Sequence, residues 1–419
     1  MFSELQKELA KRATQGLLRT RRTLATPQSP HLTVDGKPYL AFCSNDYLGL
    51  ASHPQLIAAL QQGAQQWGVG AGAAHLVSGH FGAHHQLEQQ LAAFVGKPAA
   101  LLFSTGYMAN LGAVQALVGK GDTVFADKLN HASLNDAMLL SRAEMKRFRH
   151  GDMAQLAQLL EQTNGQTRFP HPNPLPEGEG ANESLREFPV KCGRKLVITD
   201  AVFSMDGDIA PLREMLALCE RHDAWLYVDD AHGFGVLGAQ GRGSLFQAPL
   251  REGVGWGSSP RIIYMATLGK AAGVSGAFVA AEQVVVDTLL NHAHSYVYTT
   301  ATPPALSVAL AQSLQLIEQG DALRIHLQKL IAQLRAGLSD LPWQLMPSET
   351  AIQPLLIGDN HQALELSEGL RERGIWVAAI RPPTVPQGTA RLRITLSAAH
   401  RTQDVDRLIV ALHELAQES

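Results

Sequence analysis

The stretch "AWLYVDDAHGFG" (residues 224–235) decides the fold class. It begins with apolar side chains on both parities and ends in Asp229, Asp230 and His232, followed by glycines. A run that is apolar on both parities is typical of a parallel strand covered on two faces. Ligands of open α/β sheets bind at the carboxyl ends of the strands. The stretch therefore predicts a buried strand that leads into a functional site.

Four further runs have the size and composition of buried strands. They are "ALLFST" (100–105), "TVFADK" (123–128), "KLVITDAV" (195–202) and "RIIYMATL" (261–268). Residues 211–222 follow one of these strands and carry apolar side chains at helical spacing. The alternation of strand, helix and strand predicts an α/β fold with a mostly parallel central sheet.

The composition also suggests a division of the chain. Residues 306–339 form one long helical pattern, and a smaller α+β pattern follows to residue 419. We predict an N-terminal segment over residues 1–45, a large domain over 46–303 and a small C-terminal α+β domain over 304–419. Within the large domain, residues 165–193 are rich in Pro, Gly and Glu and have no apolar period. This composition predicts a disordered insert.

Charge and hydropathy exclude several classes of function. The 419-residue chain has a formal net charge of −3 and a pI near 6.6, so no basic excess favours nucleic acid or an anionic membrane. The most apolar window contains Ser104, Thr105 and Asn110, and it predicts no membrane span. The N-terminal residues lack the apolar core of a secretory signal, so we predict a cytoplasmic protein.

The cysteines and histidines indicate no cross-link and no metal site. Cys43, Cys192 and Cys219 are far apart in the sequence, and no CxxC pair is present. The histidines are scattered and lack the spacing of a metal motif. We therefore predict neither a disulfide framework nor a metal centre, which fits a reducing compartment.

The lysine in "TLGKAAGVSG" (267–276) has unusual surroundings. Lys270 is the only charged residue in a stretch of small side chains that follows a predicted strand. An amine in an apolar pocket has a lowered pKa and can form a Schiff base with a carbonyl. Alone, Lys270 could equally be a surface lysine at a strand end. Asp229 could hold a protonated heterocyclic nitrogen and His232 could donate to a phenolate oxygen, whereas we interpret Asp230 as a solvated turn residue.

Three other strand ends carry polar or permissive residues. Gly106 in "FSTGYMAN" opens a helix whose N-terminal amides can bind phosphate. His131 in "DKLNHASL" and Ser204 in "VFSMDGD" each follow a strand, and His131 could equally be structural. A phosphate cradle, a flat histidine, an Asp–His pair and a buried lysine together suit pyridoxal 5′-phosphate. The spaced glycines of "GVGAGAAHLVSG" follow a helical pattern, so they do not indicate a dinucleotide site.

These motifs resemble those of the α-oxoamine synthases. The matching stretches are "SNDYLGL" (44–50), "VSGH" (77–80), "HHQLE" (84–88), "NHASL" (130–134), "VFSMDGD" (202–208), "VDDAHGFG" (228–235), "GRGS" (241–244) and "TLGKAAGVSG" (267–276). The resemblance covers nearly the whole chain apart from the insert. It implies a fold-type I pyridoxal-phosphate-dependent transferase that joins an amino acid to an acyl thioester with loss of carbon dioxide, working as a homodimer.

The resemblance also implies a role for each site residue. Lys270 is the implied Schiff-base lysine, Asp229 the partner of the pyridine nitrogen, and His131 the ring that stacks on the cofactor. The other implied cofactor contacts are Gly106, Tyr107, Ser204, His232, Thr267, Thr299 and Thr300, the last two across a dimer interface. The implied substrate contacts are Arg19, His131, Thr384 and Arg393, with Arg393 binding a carboxylate.

Within the family, "AIRPPTVPQGTARLRITLSAAH" (379–400) is most similar to the branch that joins L-alanine to a pimeloyl thioester, carried by acyl carrier protein or coenzyme A. Two alternatives are a relative that uses glycine with a short acyl-CoA and a non-catalytic cofactor-binding regulator. The chain departs from the family pattern at Asp200, where a glutamate is usual, and at Ala272, where a bulkier residue is usual.

Overall fold

The computed structural model describes residues 1–15, 17–164, 193–246 and 256–418. The N-terminal part contains α1 (Phe2–Thr14), β1 (His31–Val34), β2 (Lys37–Ala41), α2 (Pro54–Trp67) and α3 (Gly82–Phe94), with a π-helical turn at His75–Gly79 before α3. Pro54 lies in the first turn of α2, where its missing N–H costs no helical hydrogen bond.

The middle of the chain alternates between strands and helices. In order, it contains β3 (Ala99–Phe103), α4 (Gly106–Leu117), β4 (Thr123–Asp127), α5 (Ala132–Ser141), β5 (Glu144–Phe148), α6 (Met153–Asn164), β6 (Lys195–Asp200), α7 (Leu212–Arg221), β7 (Trp225–Asp229), β8 (Ile262–Thr267), β9 (Ala277–Ala281), α8 (Gln283–His292) and α9 (His294–Val297). The C-terminal part contains α10 (Pro304–Glu318), α11 (Asp321–Gly337), β10 (Gln344–Leu345), β11 (Ile352–Gly358), α12 (Asn360–Glu372), β12 (Ile375–Trp376), β13 (Ala378–Ile380), β14 (Ala390–Thr395) and α13 (Thr402–Glu418).

Seven strands form the central sheet in the order β3-β9-β8-β7-β6-β4-β5. The pairs from β8 to β5 are parallel, whereas β9 is antiparallel to both β3 and β8. Two smaller sheets have the orders β1-β2-β12 and β10-β11-β14-β13. Because β2 pairs with β12, the N-terminal segment is joined to the C-terminal part of the chain.

Alternate side chains of the central strands enter apolar cores on opposite faces of the sheet. On β7, Leu226 and Val228 belong to one core and Tyr227 to the other. On β8, Tyr264 and Met265 are divided in the same way. Burial on both faces explains why these strands are apolar on both parities in the sequence.

The structure confirms the predicted α/β class and the five predicted strands, and it adds to them. Strands β5 and β9 were not predicted from the sequence, and the long helical pattern at 306–339 is two helices, α10 and α11.

The predicted insert 165–193 lies outside the described residues except for Gly193. The domain limits at residues 45 and 303 stay predictions. No helix in the described ranges combines the length and apolar character that a membrane crossing requires.

Candidate active site

The predicted site residues follow the carboxyl ends of adjacent parallel strands. Strands β4, β6, β7 and β8 end at Asp127, Asp200, Asp229 and Thr267, and Asp200 is paired in register with Asp229. A cavity of about 830 Å³ opens at this edge of the sheet. Seven predicted residues line it: Arg19, His131, Ser204, His232, Lys270, Thr384 and Arg393.

Lys270 begins a chain of hydrogen bonds. Its Nζ lies 3.0 Å from His232 Nε2, and His232 Nδ1 lies 2.6 Å from the Tyr47 hydroxyl. Tyr47 donates to Asn45 Oδ1 at 3.1 Å, which also accepts from the Arg393 guanidinium at 3.3 Å. All members are satisfied when Lys270 donates to His232 and His232 donates to Tyr47. Hydrogen bonds thus link Lys270, the implied cofactor lysine, to Arg393, the implied substrate-binding arginine.

Burial determines the protonation states of Lys270 and His232 in this chain of hydrogen bonds. Removal from water lowers the pKa of Lys270 to about 8, against the opposing effect of Asp229 and Asp200. Burial, followed by the nearby Lys270 charge, holds the pKa of His232 well below its ordinary value. His232 is therefore neutral and can accept a hydrogen bond from the amine. A neutral lysine amine, which nucleophilic chemistry requires, is accessible near physiological pH.

Asp229 is held in a fixed position by hydrogen bonds from two parts of the chain. Its Oδ2 accepts from Asn110 Nδ2 at 2.8 Å, and its Oδ1 accepts from the backbone N–H of Ala231 at 3.0 Å. Asn110 is itself fixed by the Tyr227 hydroxyl, which donates to its Oδ1 at 2.9 Å. Sequence reasoning missed Asn110, whose only signal was a polar residue in a mostly apolar helix.

Asp200 has a different role from its neighbour. Burial, reinforced by the Asp229 carboxylate, raises the pKa of Asp200 well above its ordinary value. Its Oδ2 accepts from the backbone N–H of His131 at 2.6 Å, which fixes the start of α5. The His131 ring lines the cavity, and its Nδ1 lies 2.7 Å from Ser133 Oγ. An aspartate at position 200 therefore positions His131.

Asp230 is a structural residue of the turn, as predicted, but the prediction that it is solvated is wrong because its side chain is buried. It accepts from the Ser244 N–H at 2.7 Å and from the Ser244 hydroxyl at 2.6 Å. The Tyr264 hydroxyl donates to it at 2.8 Å. Asp230 is 0% exposed and ties the loop after β7 to residue 244. The adjacent acids of "VDDAH" thus face different environments.

The N-terminus of α4 lies against the end of β8. Thr105 caps the helix by accepting from the Met108 N–H at 3.2 Å, and Gly106 is the first helical residue. A Cβ atom at Gly106 would lie 2.5 Å from Thr267 Cγ2, so this close approach requires glycine. Tyr107 is half-exposed on the first turn, and its hydroxyl donates to Asp136. A helix N-terminus, a fixed carboxylate and a low-pKa lysine form the donor set that suits pyridoxal phosphate.

The remaining predicted residues fall into two groups. Arg393 donates through Nε to the Ser204 carbonyl at 2.5 Å, and it shares the cavity wall with Arg19 and Thr384. Thr299 and Thr300 do not line this cavity. Thr300 instead forms a β-bridge with Ala74, so its predicted contact across a dimer interface stays a prediction.

The comparisons with known proteins cover the whole chain. The sequence profile of the class I and II aminotransferases matches residues 37–412. The 8-amino-7-oxononanoate synthase of Nitrosomonas europaea is 57% identical over 417 residues, covering 100% of both chains. The 8-amino-7-oxononanoate synthase of Herminiimonas arsenicoxydans is 56% identical, covering 97% of this chain and 98% of the relative.

The chain belongs to the 8-amino-7-oxononanoate synthase family. Among solved structures, serine palmitoyltransferase from S. paucimobilis, which contains bound PLP, has a TM-score of 0.85 at 28% identity and covers 100% of this chain and 98% of its own. The 8-amino-7-oxononanoate synthase of Francisella tularensis has a TM-score of 0.72 at 28% identity, with 91% and 98% covered. Membership of this family confirms the predicted resemblance, the fold-type I class, a pyridoxal-phosphate-dependent transferase activity and the cofactor.

Proposed function

We propose that this chain condenses L-alanine with a pimeloyl thioester in the cavity around Lys270. A carbon–carbon bond forms between the alanine Cα and the thioester carbonyl carbon, and the thiol carrier leaves. The alanine carboxylate is lost as carbon dioxide, which leaves 8-amino-7-oxononanoate. The observation that carries the proposal is the convergence of Lys270, Asp229, His131 and Arg393 at one sheet edge, in a chain 57% identical to a synthase of this name.

Lys270 is the base that we assign to the alanine Cα proton. When bound, pyridoxal phosphate supplies an electron sink for the bonds at that carbon. With a pKa of about 8, the Lys270 amine can take up the proton and return it later at the same carbon. His232 accepts a hydrogen bond from Lys270 and so directs its lone pair. Asp229, fixed by Asn110, supplies the negative charge that keeps a heterocyclic nitrogen protonated.

Arg393 is the residue that we assign to the substrate carboxylate. A guanidinium presents donors in a planar fork that matches a carboxylate. Arg393 is only 7% exposed and is oriented by the Ser204 carbonyl and Asn45. Orientation of the carboxylate matters because its bond to Cα breaks in the reaction.

The acyl thioester has space beside this cavity. A second cavity of about 770 Å³ shares Arg19, Pro383 and Thr384 with the first. Leu17 and Leu18 line it with Arg12 and Arg381, so its wall combines apolar and cationic groups. An acyl chain that ends in a carboxylate, or the phosphate of a carrier, suits such a wall. We assign the acyl donor to this space.

We also propose that the enzyme is a cytoplasmic homodimer. The support in this chain is a set of large apolar side chains left exposed in the single protomer. Val69, Val77 and Tyr298 are 84%, 80% and 79% exposed. Ala74 and Thr300 form an isolated β-bridge. Val69 and Val77 flank Ala74 in the sequence, and Tyr298 lies two residues before Thr300. A partner protomer over this face would cover them and bring Thr299 and Thr300 to its own site.

The experiment is a substrate comparison with purified holoenzyme. L-alanine, glycine and L-serine are each combined with pimeloyl-CoA, pimeloyl carrier protein or acetyl-CoA, and products are identified by mass spectrometry. We expect turnover only with L-alanine and a pimeloyl thioester. Preference for glycine and acetyl-CoA would replace the proposal with the short-chain alternative. Arg393→Ala is expected to raise the KM for alanine, and an unchanged KM would remove Arg393 from its assigned role.

A further inference from the structure

A second cluster of titratable side chains lies apart from the cavity around Lys270. It contains His75 and His80 from the π-helical turn and the loop after it, and His84, His85 and Glu88 from the start of α3. His75, His80, His85 and Glu88 line a separate cavity of about 640 Å³. The residues that line this cavity do not line the one around Lys270. None of the roles assigned above uses this cluster.

Potential ligand atoms converge within the cluster. One nitrogen each from His80 and His85 and an oxygen of Glu88 all lie within 4.8 Å of one another. His85 and Glu88 are three positions apart on α3, so they share a helix face one turn apart. The spacing along the sequence matches no metal motif, and the fold alone brings His80 to the pair.

We propose that His80, His85 and Glu88 bind a divalent transition-metal ion of the zinc class. Two imidazoles and one carboxylate form a donor set suited to Zn²⁺ and its neighbours rather than to Mg²⁺ or Ca²⁺. Three protein ligands leave a fourth position, which opens into the 640 Å³ cavity for water or a small anion.

His84 is not one of the ligands in this assignment, although its ring lies close to His75 and His80. Its Nδ1 accepts from the Phe81 N–H at 3.1 Å, and its Nε2 donates to the Thr302 carbonyl at 2.9 Å. Both ring nitrogens are therefore engaged in fixing the start of α3. The Gln89 contact with His85 Nε2, at 3.0 Å, involves exposed side chains and is easily exchanged for a metal bond.

His75 contacts the proposed ligand His80 and can fix the orientation of its ring. Its Nδ1 lies 3.1 Å from His80 Nδ1, and its ring stacks on Tyr296 with centroids 5.0 Å apart. If His80 Nδ1 donates to His75, the lone pair of His80 Nε2 is free for a metal. Metal-binding histidines commonly donate their second ring nitrogen in this way, which fixes the ring orientation.

The charge at the cluster also favours a cation. Glu88 is 9% exposed, and one of its oxygens accepts from the Leu102 N–H at 2.9 Å. No salt bridge to Glu88 is found among the described residues. A divalent ion would provide the missing positive charge beside a mostly buried carboxylate. The carboxylate is needed in turn, because the N-terminal end of a helix repels a cation.

The test uses tag-free, PLP-saturated enzyme that has been treated with chelator and dialysed. Zn²⁺ binding is measured by isothermal titration calorimetry, and Co²⁺ is added in parallel to record its ligand-field absorption. The variants are His80→Ala, Glu88→Gln and His75→Phe, with the exposed His361→Ala as the matched control. Glu88→Gln keeps an oxygen for the Leu102 N–H, and His75→Phe keeps the stack on Tyr296, so both preserve the packing.

We expect one Zn²⁺ per chain in the parent enzyme and in His361→Ala, and no saturable site in His80→Ala or Glu88→Gln. His75→Phe should weaken binding roughly 10- to 100-fold. The cofactor absorption should stay unchanged in every titration, which separates this site from metal binding at PLP. Absence of a saturable site in the parent enzyme, or equal binding in His80→Ala and Glu88→Gln, would overturn the proposal.

Discussion

Single residues at this site are controlled by partners that lie far away in the sequence. Asp229, His232 and Lys270 could be predicted because each follows a buried strand, and strand ends meet at one edge of a parallel sheet. Asn110 and Tyr47 could not be predicted, because their contacts with Asp229 and His232 join residues more than 100 positions apart. Each becomes visible only when the sheet is assembled.

The lowered pKa of Lys270 predicts how the apoenzyme takes up its cofactor. Only the neutral amine can react with an aldehyde, and burial brings the Lys270 pKa down to about 8. The rate of PLP uptake should rise about tenfold per pH unit below this value and level off above it. Stopped-flow absorbance on apoenzyme measures this rate. A rate that continues to rise towards the ordinary lysine value of 10.5 would contradict the burial effect.

Asp229→Asn tests charge without changing shape. The amide oxygen can still accept from Asn110, although the amide nitrogen cannot accept from the Ala231 N–H, so we expect the cofactor to be retained, whereas the negative charge opposite a heterocyclic nitrogen is lost. Exchange of the alanine Cα proton with D2O, followed by NMR, should slow at least about 100-fold. Asp230→Asn is not a suitable control because Asp230 is buried in its own network; Asp340→Asn, at an exposed position after α11, is the better one. Unchanged exchange in Asp229→Asn would remove its assigned role.

Among the secondary-structure elements, the strands buried on both faces of the sheet were predicted well from the sequence. β5 escaped prediction because it is an edge strand with the polar sequence "EMKRF", and only its pairing with β4 makes it a strand. β9 was missed because "AFVAA" is short and follows the Gly-rich lysine loop, and it runs antiparallel to both neighbours. Neither strand end carries a predicted site residue.

The close contact between the start of α4 and the end of β8 can be tested by substitution. Gly106→Ala places a Cβ 2.5 Å from Thr267 Cγ2, and such overpacking costs about 1–3 kcal/mol in unfolding free energy. The helix N-terminus must shift away from β8, so PLP affinity should fall together with the melting temperature. Adding Thr267→Ser removes the Cγ2 methyl group and should restore both. No recovery in the double variant would show that this contact is not the cause.

At the scale of the whole molecule, residues 165–193 can be separated from the site. β6 begins at Lys195, at the amino edge of the sheet, whereas Asp200, Asp229 and Lys270 mark the carboxyl edge. Replacing residues 166–191 by a short Gly-Ser linker should therefore leave the kinetics with both substrates unchanged. Doubling the length of a loop costs only about 0.6 kcal/mol, so the shorter chain should be at least as stable. A folded variant with a large loss of turnover would refute this.

A product assay with an inactive variant as its control tests the assigned reaction most directly. Purified holoenzyme and Lys270→Ala are each incubated with L-alanine and a pimeloyl thioester, and 8-amino-7-oxononanoate, carbon dioxide and free thiol are quantified. We predict equal amounts of the three products from the parent enzyme and almost none from Lys270→Ala, with the same circular dichroism spectrum for both. No 8-amino-7-oxononanoate from the parent enzyme, or undiminished turnover by a folded Lys270→Ala, would contradict the assignment of the reaction to this site.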